Sequence, residues 1–179
     1  MLVMNKKDVK KEKQLVKEME KRAKSLTPTE KQELLRLKCR TDFLTFARYI
    51  TKEVPVAGSF KPFKVHRVIG DHLQKIGDGE PTHKQSAISL PPRTGKSLLI
   101  SKVFPAWQLG RSPSAQFIMS SYALQLTNEN SRAVIEYISH PQFKWIFPEC
   151  DIDKDKCNLS AIRTNNGGLI KIASAGGNV

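Results

Sequence analysis

The residue types best suited to chemistry sit in one stretch, SLPPRTGKSLL, residues 89–99. Gly95, Lys96 and Ser97 match the distal end of the phosphate-binding pattern G-x-x-x-x-G-K-[ST]; Leu90 stands where its first glycine belongs, followed by Pro91 and Pro92. The chemistry of such a loop is phosphate capture: backbone N–H groups converge on the anion and the following helix presents its positive end. Lys96 is expected to reach the β- and γ-phosphates of ATP, and Ser97 to give a hydroxyl to Mg²⁺. Gly95 lets the backbone approach the phosphate without a Cβ. Prolines carry no N–H, so the donors come from Arg93 onward, chiefly Thr94, Gly95, Lys96 and Ser97, between Pro92 and Leu98. Lys96 and Arg93 are the catalytic candidates, Arg93 because its guanidinium is permanently charged; a plain surface charge is the alternative.

Upstream lies FKPFKVHR, residues 60–67, an aromatic and basic cluster. His66 and Arg67 are its candidates for contact with a nucleotide base, while the phenylalanines suit core packing at a helix start equally well. Cys39, Cys150 and Cys157 contain no C-x-x-C pair, which points to reduced thiols. A metal site from Cys150, Cys157 and His140 matches no common zinc spacing. Asp151-x-Asp-x-Asp155 lacks the glycine and terminal glutamate of a calcium loop and reads as a solvated acidic turn.

The elements that have to hold this loop follow from periodicity. Residues 5–24 are mostly charged with a thin apolar stripe of Leu15, Val16 and Met19, consistent with a solvated helix or a partly disordered arm. Thr27, Pro28 and Glu30 mark a capped helix start over about 28–39. Amphipathic segments follow at Asp42–Ile50 and Val65–Ile76, separated by a loop over Pro55–Pro62, and Gly77 to Pro81 ends the second. Ser86–Leu90 reads as a strand, Lys96–Leu109 as a helix, Ala115–Ser121 as a second strand and Leu124–Ser139 as a second helix. Residues 160–164 and 169–174 flank a glycine turn and predict a hairpin. Strand, loop, helix, strand and helix in that order predict an α/β fold of the P-loop NTPase kind, helicase-like, with a parallel sheet and crossover helices. The glycine pair near residue 177 reads as an interruption, so that fold is expected to be incomplete. The division is a basic helical arm over residues 1–40 and a partial ATPase domain over 41–179.

The 179 residues carry a net charge of +13, and only 39% are hydrophobic. The first 40 have 13 basic against 6 acidic side chains and the remainder 17 against 11, so the excess is spread along the chain. This favours a polyanionic partner, nucleic acid first; simple solubility is the alternative reading of the charge. No apolar run reaches membrane-spanning length, and the lysine-rich N-terminus has no secretory pattern.

Taken together, residues 40–179 resemble the N-terminal ATPase part of the large subunit of tailed-phage terminases. Leu90-Pro-Pro-Arg-Thr-Gly-Lys-Ser97 is similar to that family's deviant loop, in which Leu or Met and prolines replace the first glycine. Asp42-Phe-Leu-Thr-Phe-Ala47, Phe63-Lys-Val-His66, Ser120-Ser-Tyr-Ala-Leu-Gln-Leu-Thr127 with Asn130-Ser-Arg132, His140-Pro-Gln-Phe143 and Ile146-Phe-Pro148 also fit, as do Gly167-Gly168 and the closing Ala175-Gly-Gly177. The resemblance implies an ATP-driven motor that moves double-stranded DNA into a prohead. It would act as a homo-oligomeric ring on the portal protein, with the small terminase subunit, in the cytoplasm of an infected or prophage-carrying bacterium. It also implies nucleotide and magnesium binding by Lys96 and Ser97, a sensing role for Arg93, and coupling to DNA movement by Ser121 and Tyr122. Such proteins continue with an apolar strand ending in acidic residues and with a nuclease domain, and neither is present. The alternatives are a non-hydrolysing nucleotide- or DNA-binding remnant that docks on packaging partners, and a helicase-like ATPase.

Overall fold

The computed structural model describes residues 6–54, 60–80 and 86–174. Most of the expected 55–62 loop, Pro81, and Ala175–Val179 with the Gly176-Gly177 pair lie outside them.

Helix α1 (Lys6–Lys21) lays Met19 and Val16 against Leu34 and Leu37 of α2 (Pro28–Thr41), so its thin stripe is a packing seam. The start of α2 is the expected capping box. The Thr27 hydroxyl accepts from the Glu30 N–H at 3.3 Å, and the Glu30 carboxylate accepts from the Thr27 N–H at 2.8 Å. Asp42 ends α2 and caps α3 (Phe43–Glu53), its carboxylate accepting the Thr45 N–H at 2.7 Å. Next come α4 (Lys64–Gly77) and, after the loop, a helix that starts at Lys96. That helix runs as a π-helical segment, Leu98–Val103, into α5 (Phe104–Arg111). Pro105 explains the wide turn. A proline inside a helix has no N–H to donate and crowds the carbonyl one turn back, and the π segment ends just before it.

Strand β1 (Gln116–Ser121) is followed by α6 (Leu124–Ser139) and α7 (Pro141–Ile146), then by β2 (Ala161–Arg163) and β3 (Leu169–Ser174). The β2–β3 hairpin is antiparallel as expected, and β1 adds to β3 in parallel, Phe117 opposite Ile170, giving the order β1-β3-β2.

This topology overturns the expected P-loop NTPase fold with its parallel sheet. The described residues are mainly helical around a small mixed sheet, and Ser86–Leu90, the expected strand before the loop, pairs with nothing among them. The physical reason lies in the strands. A parallel sheet buried on both faces needs near-continuous apolar runs. Ser86-Ala-Ile-Ser-Leu90 offers only Ile88 and Leu90, both half-buried, and β1 alternates exposed with half-buried residues, leaving Ile118 78% exposed. The core is instead helical. Phe43 meets Phe104 and Trp107 at ring distances of 5.6 and 5.4 Å, and the Trp107 indole N–H donates to the Cys39 carbonyl at 2.9 Å.

Side chains tie α4 to the loop ahead of the loop helix at one end and to α5 at the other. At the C-terminal end Gly77 admits Trp107, for a Cβ there would fall 2.7 Å from the indole. Beside it Asp78 accepts from Arg111 at 2.7 Å and from Lys13 of α1 at 2.8 Å, with the Arg111 guanidinium 4.3 Å over the Trp107 ring. Burial alone would raise the Asp78 carboxyl, but hydrogen bonds from Lys13, Gln74 and Arg111 outweigh it and hold the group below its ordinary 3.8. A carboxyl lowered in the folded state stabilises above its unfolded value and loses that contribution as pH falls through the folded one. Asp78→Asn is therefore expected to cost about 3 kcal/mol in urea unfolding at neutral pH, because Arg111 is left buried without its counter-charge. The gap from wild type should shrink as the pH falls below 3.8; a gap constant with pH would reject this role.

Candidate phosphate-binding loop

The loop is shaped by two left-handed residues on either side of Thr94, Arg93 at φ 62° and Gly95 at φ 80°. Alternation of hand turns successive N–H groups toward one side, the geometry of an anion nest. The Thr94 hydroxyl donates to the Pro91 carbonyl at 2.8 Å and closes the turn behind the prolines. The helix then starts with the Leu99 N–H on the Gly95 carbonyl at 3.1 Å. The N–H groups of Gly95, Lys96, Ser97 and Leu98 have no acceptor among the described residues, as the first turn of a helix requires.

Around these donors the chain wraps a cavity of about 420 Å³, lined by every residue from Leu90 to Leu98. Lys96 is half-buried at its wall, while Arg93 and Ser97 are exposed at its rim. None of the three side chains has an ion pair or hydrogen bond among the described residues. The lining therefore offers two cations, the Ser97 hydroxyl, the Thr94 hydroxyl already bonded to Pro91, and a row of N–H donors, with no carboxylate. That set suits a phosphate chain. Mg²⁺ prefers oxygen ligands, keeps most of its waters and is commonly carried by phosphates; the Ser97 hydroxyl fits as a single protein ligand to such a borne ion. Among the described residues no group of three His, Cys, Asp or Glu is placed to hold a metal.

His66 does not line the cavity; it stands behind the loop. It is buried, its Nδ1 accepts the Phe63 N–H at 2.8 Å, and its Nε2 meets the Thr94 carbonyl at 2.5 Å. A carbonyl only accepts, so Nε2 carries the proton and both ring nitrogens are engaged within the chain. Arg67 is exposed on the first turns of α4 and is not part of the lining. Ser121 and Tyr122 also lie off it: the Ser121 hydroxyl donates to the Ala123 carbonyl at 2.8 Å, and Tyr122 is 89% exposed at the end of β1. An apolar groove of about 480 Å³ between Val65, Val68 and Ile69 of α4 and Ile88 adjoins the loop cavity through the shared Leu90. A third cavity, about 250 Å³, sits at the Lys13–Asp78–Arg111 joint, where Lys13 and Arg111 already pair with Asp78.

Cys39 and Cys150 are buried, which pushes both thiols up to about 12 and leaves them unreactive. No helix among the described residues is long and apolar enough to cross a membrane. No protein-family model, curated protein or solved structure matches the chain.

A non-glycine residue at φ 62° costs on the order of 1 kcal/mol, so Arg93 holds a backbone conformation that glycine would adopt more readily. Arg93→Gly should leave the melting temperature unchanged or slightly higher while pyrophosphate affinity falls about tenfold, the loss of one charge-assisted contact. A lower melting temperature with unchanged affinity would make Arg93 structural.

Proposed function

We propose that this chain binds a nucleoside triphosphate, ATP with Mg²⁺, through the 90–98 loop, as the ATP-binding part of a DNA-packaging motor of the terminase large-subunit kind. The observation that carries the reading is the cavity walled entirely by the loop, with free N–H donors at a helix start and the unpaired cations Lys96 and Arg93. Lys96 neutralises the terminal phosphates, Ser97 takes a magnesium position and Arg93 senses phosphate charge at the rim. The apolar groove that shares Leu90 leaves room for the nucleoside end. In this reading the working assembly is a ring on the portal protein, with the small terminase subunit and double-stranded DNA, in the cytoplasm of the bacterial host. The net charge of +13 supports a polyanionic partner. The resemblance rests on residues: the Leu90-Pro91-Pro92 front of the loop and the Ser120–Thr127 segment.

A second reading is favoured by one feature of the same cavity. Its lining contains no carboxylate to activate water, which suits a nucleotide-binding element that docks on packaging partners without turning over.

Lys96→Ala is expected to weaken ATP binding about a hundredfold, the loss of a charged contact of about 3 kcal/mol; titration calorimetry reads it, and equal affinities would sink the loop assignment. In the same preparation the 179-residue chain should hydrolyse ATP near background, whereas robust turnover would mean that another part of the chain supplies the base. Binding to duplex DNA should weaken steeply between 50 and 200 mM salt as counterions are released; a flat response argues against a phosphate-backbone partner.

A further inference from the structure

We infer that His66 is a positioning residue for the phosphate cradle: it aims the Gly95 N–H at the bound anion by holding the peptide unit that carries it. The inference rests on the nucleotide reading above and assigns His66 a different role from base contact.

The argument begins with the peptide plane. A trans peptide unit is flat, and its C=O and N–H point in opposite directions. The Thr94 carbonyl is taken by the Nε2–H of His66 at 2.5 Å, so the Gly95 N–H of the same unit is directed away from His66. The cavity is lined by Gly95 and not by His66, so the far side is the cavity side. With Gly95 at φ 80°, that unit is the hinge between the turn and the helix. Without an outside partner on the Thr94 carbonyl, rotation of this unit would swap a donor for a carbonyl oxygen facing the phosphate.

The imidazole is itself held in register. Its Nδ1 accepts the Phe63 N–H at the start of α4, which fixes the proton on Nε2. Phe60 packs edge-on against the ring at 4.9 Å, and Phe63 lies at 5.7 Å. His66 is 3% exposed, so no solvent competes for the Thr94 carbonyl from that side. The third residue of α4 thus sets the electrostatic sense of a loop 28 residues further along the chain.

The test uses the 179-residue chain with two probes, inorganic pyrophosphate and ATP. His66→Phe keeps the ring packing and removes both hydrogen bonds. It should raise the dissociation constants of both probes by the same factor, about tenfold. His66→Gln should return both to within about threefold of wild type, because its amide oxygen can accept from Phe63 and its NH₂ donate to Thr94. Weaker ATP binding with unchanged pyrophosphate binding would mean a base contact and overturn the inference, as would wild-type affinity for both probes in His66→Phe. Wild-type protein that binds neither probe removes the nucleotide reading and this inference with it. The wild type also gives a readout that does not depend on a variant folding. On adding pyrophosphate, the Gly95 amide proton should show one of the largest downfield shifts in the ¹H–¹⁵N spectrum, and an unmoved Gly95 amide would overturn the assignment.

Discussion

Two hydrogen-bonded joints, one at each end of α4, tie that helix to the loop and to the helix that follows it. At one end His66 of α4 holds the Thr94 carbonyl just ahead of the loop helix; at the other Asp78, closing α4, holds Arg111, closing α5. The twelve helical steps from His66 to Asp78 rise about 18 Å. The loop therefore does not hang from a sheet edge. It is the connection at the top of a frame whose foot is an ion-paired carboxylate, and Lys13 ties α1 to the same foot. A loop set by two left-handed residues would otherwise sample many conformations, at an entropic cost to any ligand that needs one of them.

Between the anchors, burial against helices and not against a sheet fixes the loop helix. Leu99, Val103, Ala106 and Trp107 face inward from the loop helix and meet Phe43, Phe46 and Ile50 of α3 in one continuous core. Each large side chain removed from water contributes about 1.5–3 kcal/mol, so this face outweighs the irregularity of the π-helical turn before Pro105. Arg40 closes the other flank. Buried at 6% exposure, it reaches Glu12 of α1, the Ile146 carbonyl at the end of α7, and Glu149. Both basic side chains at the joints, Arg40 and Arg111, lie over aromatic rings, so their charge is spent on architecture and not on a ligand.

The cations at the loop are of the opposite kind. Arg93 and Lys96 are unpaired among the described residues and stand beside N–H groups that the helix start leaves open. Phosphate binding asks for that combination, because preorganised donors and charge face the anion without having to break internal partners first. Hydrolysis asks for more. A carboxylate that activates water or holds magnesium has to be brought to the cavity, and the lining from Leu90 to Leu98 supplies none.

The features that could be read from the residues alone are local ones. Thr27 with Pro28 and Glu30 specified a helix start, the spacing of Val65, Ile69 and Leu73 a helix, and the glycine turn near 167 a hairpin, because caps, turns and amphipathic faces are contests among neighbouring residues. Gly95-Lys96-Ser97 was legible for the same reason, since a helix start with open N–H groups is itself a local object. The tertiary structure decided which segments pair and which side chains answer to distant ones. Ser86–Leu90 read as a strand and stands unpaired, while β1 joined the C-terminal hairpin, because pairing depends on what lies alongside and not on the run itself. His66 reaches the Thr94 carbonyl and Asp78, in a turn-like Gly-Asp-Gly, reaches Arg111, partners 28 and 33 residues further along the chain. Hydrogen bonds at such separations leave no periodicity in the sequence; only the packed core brings their two ends together.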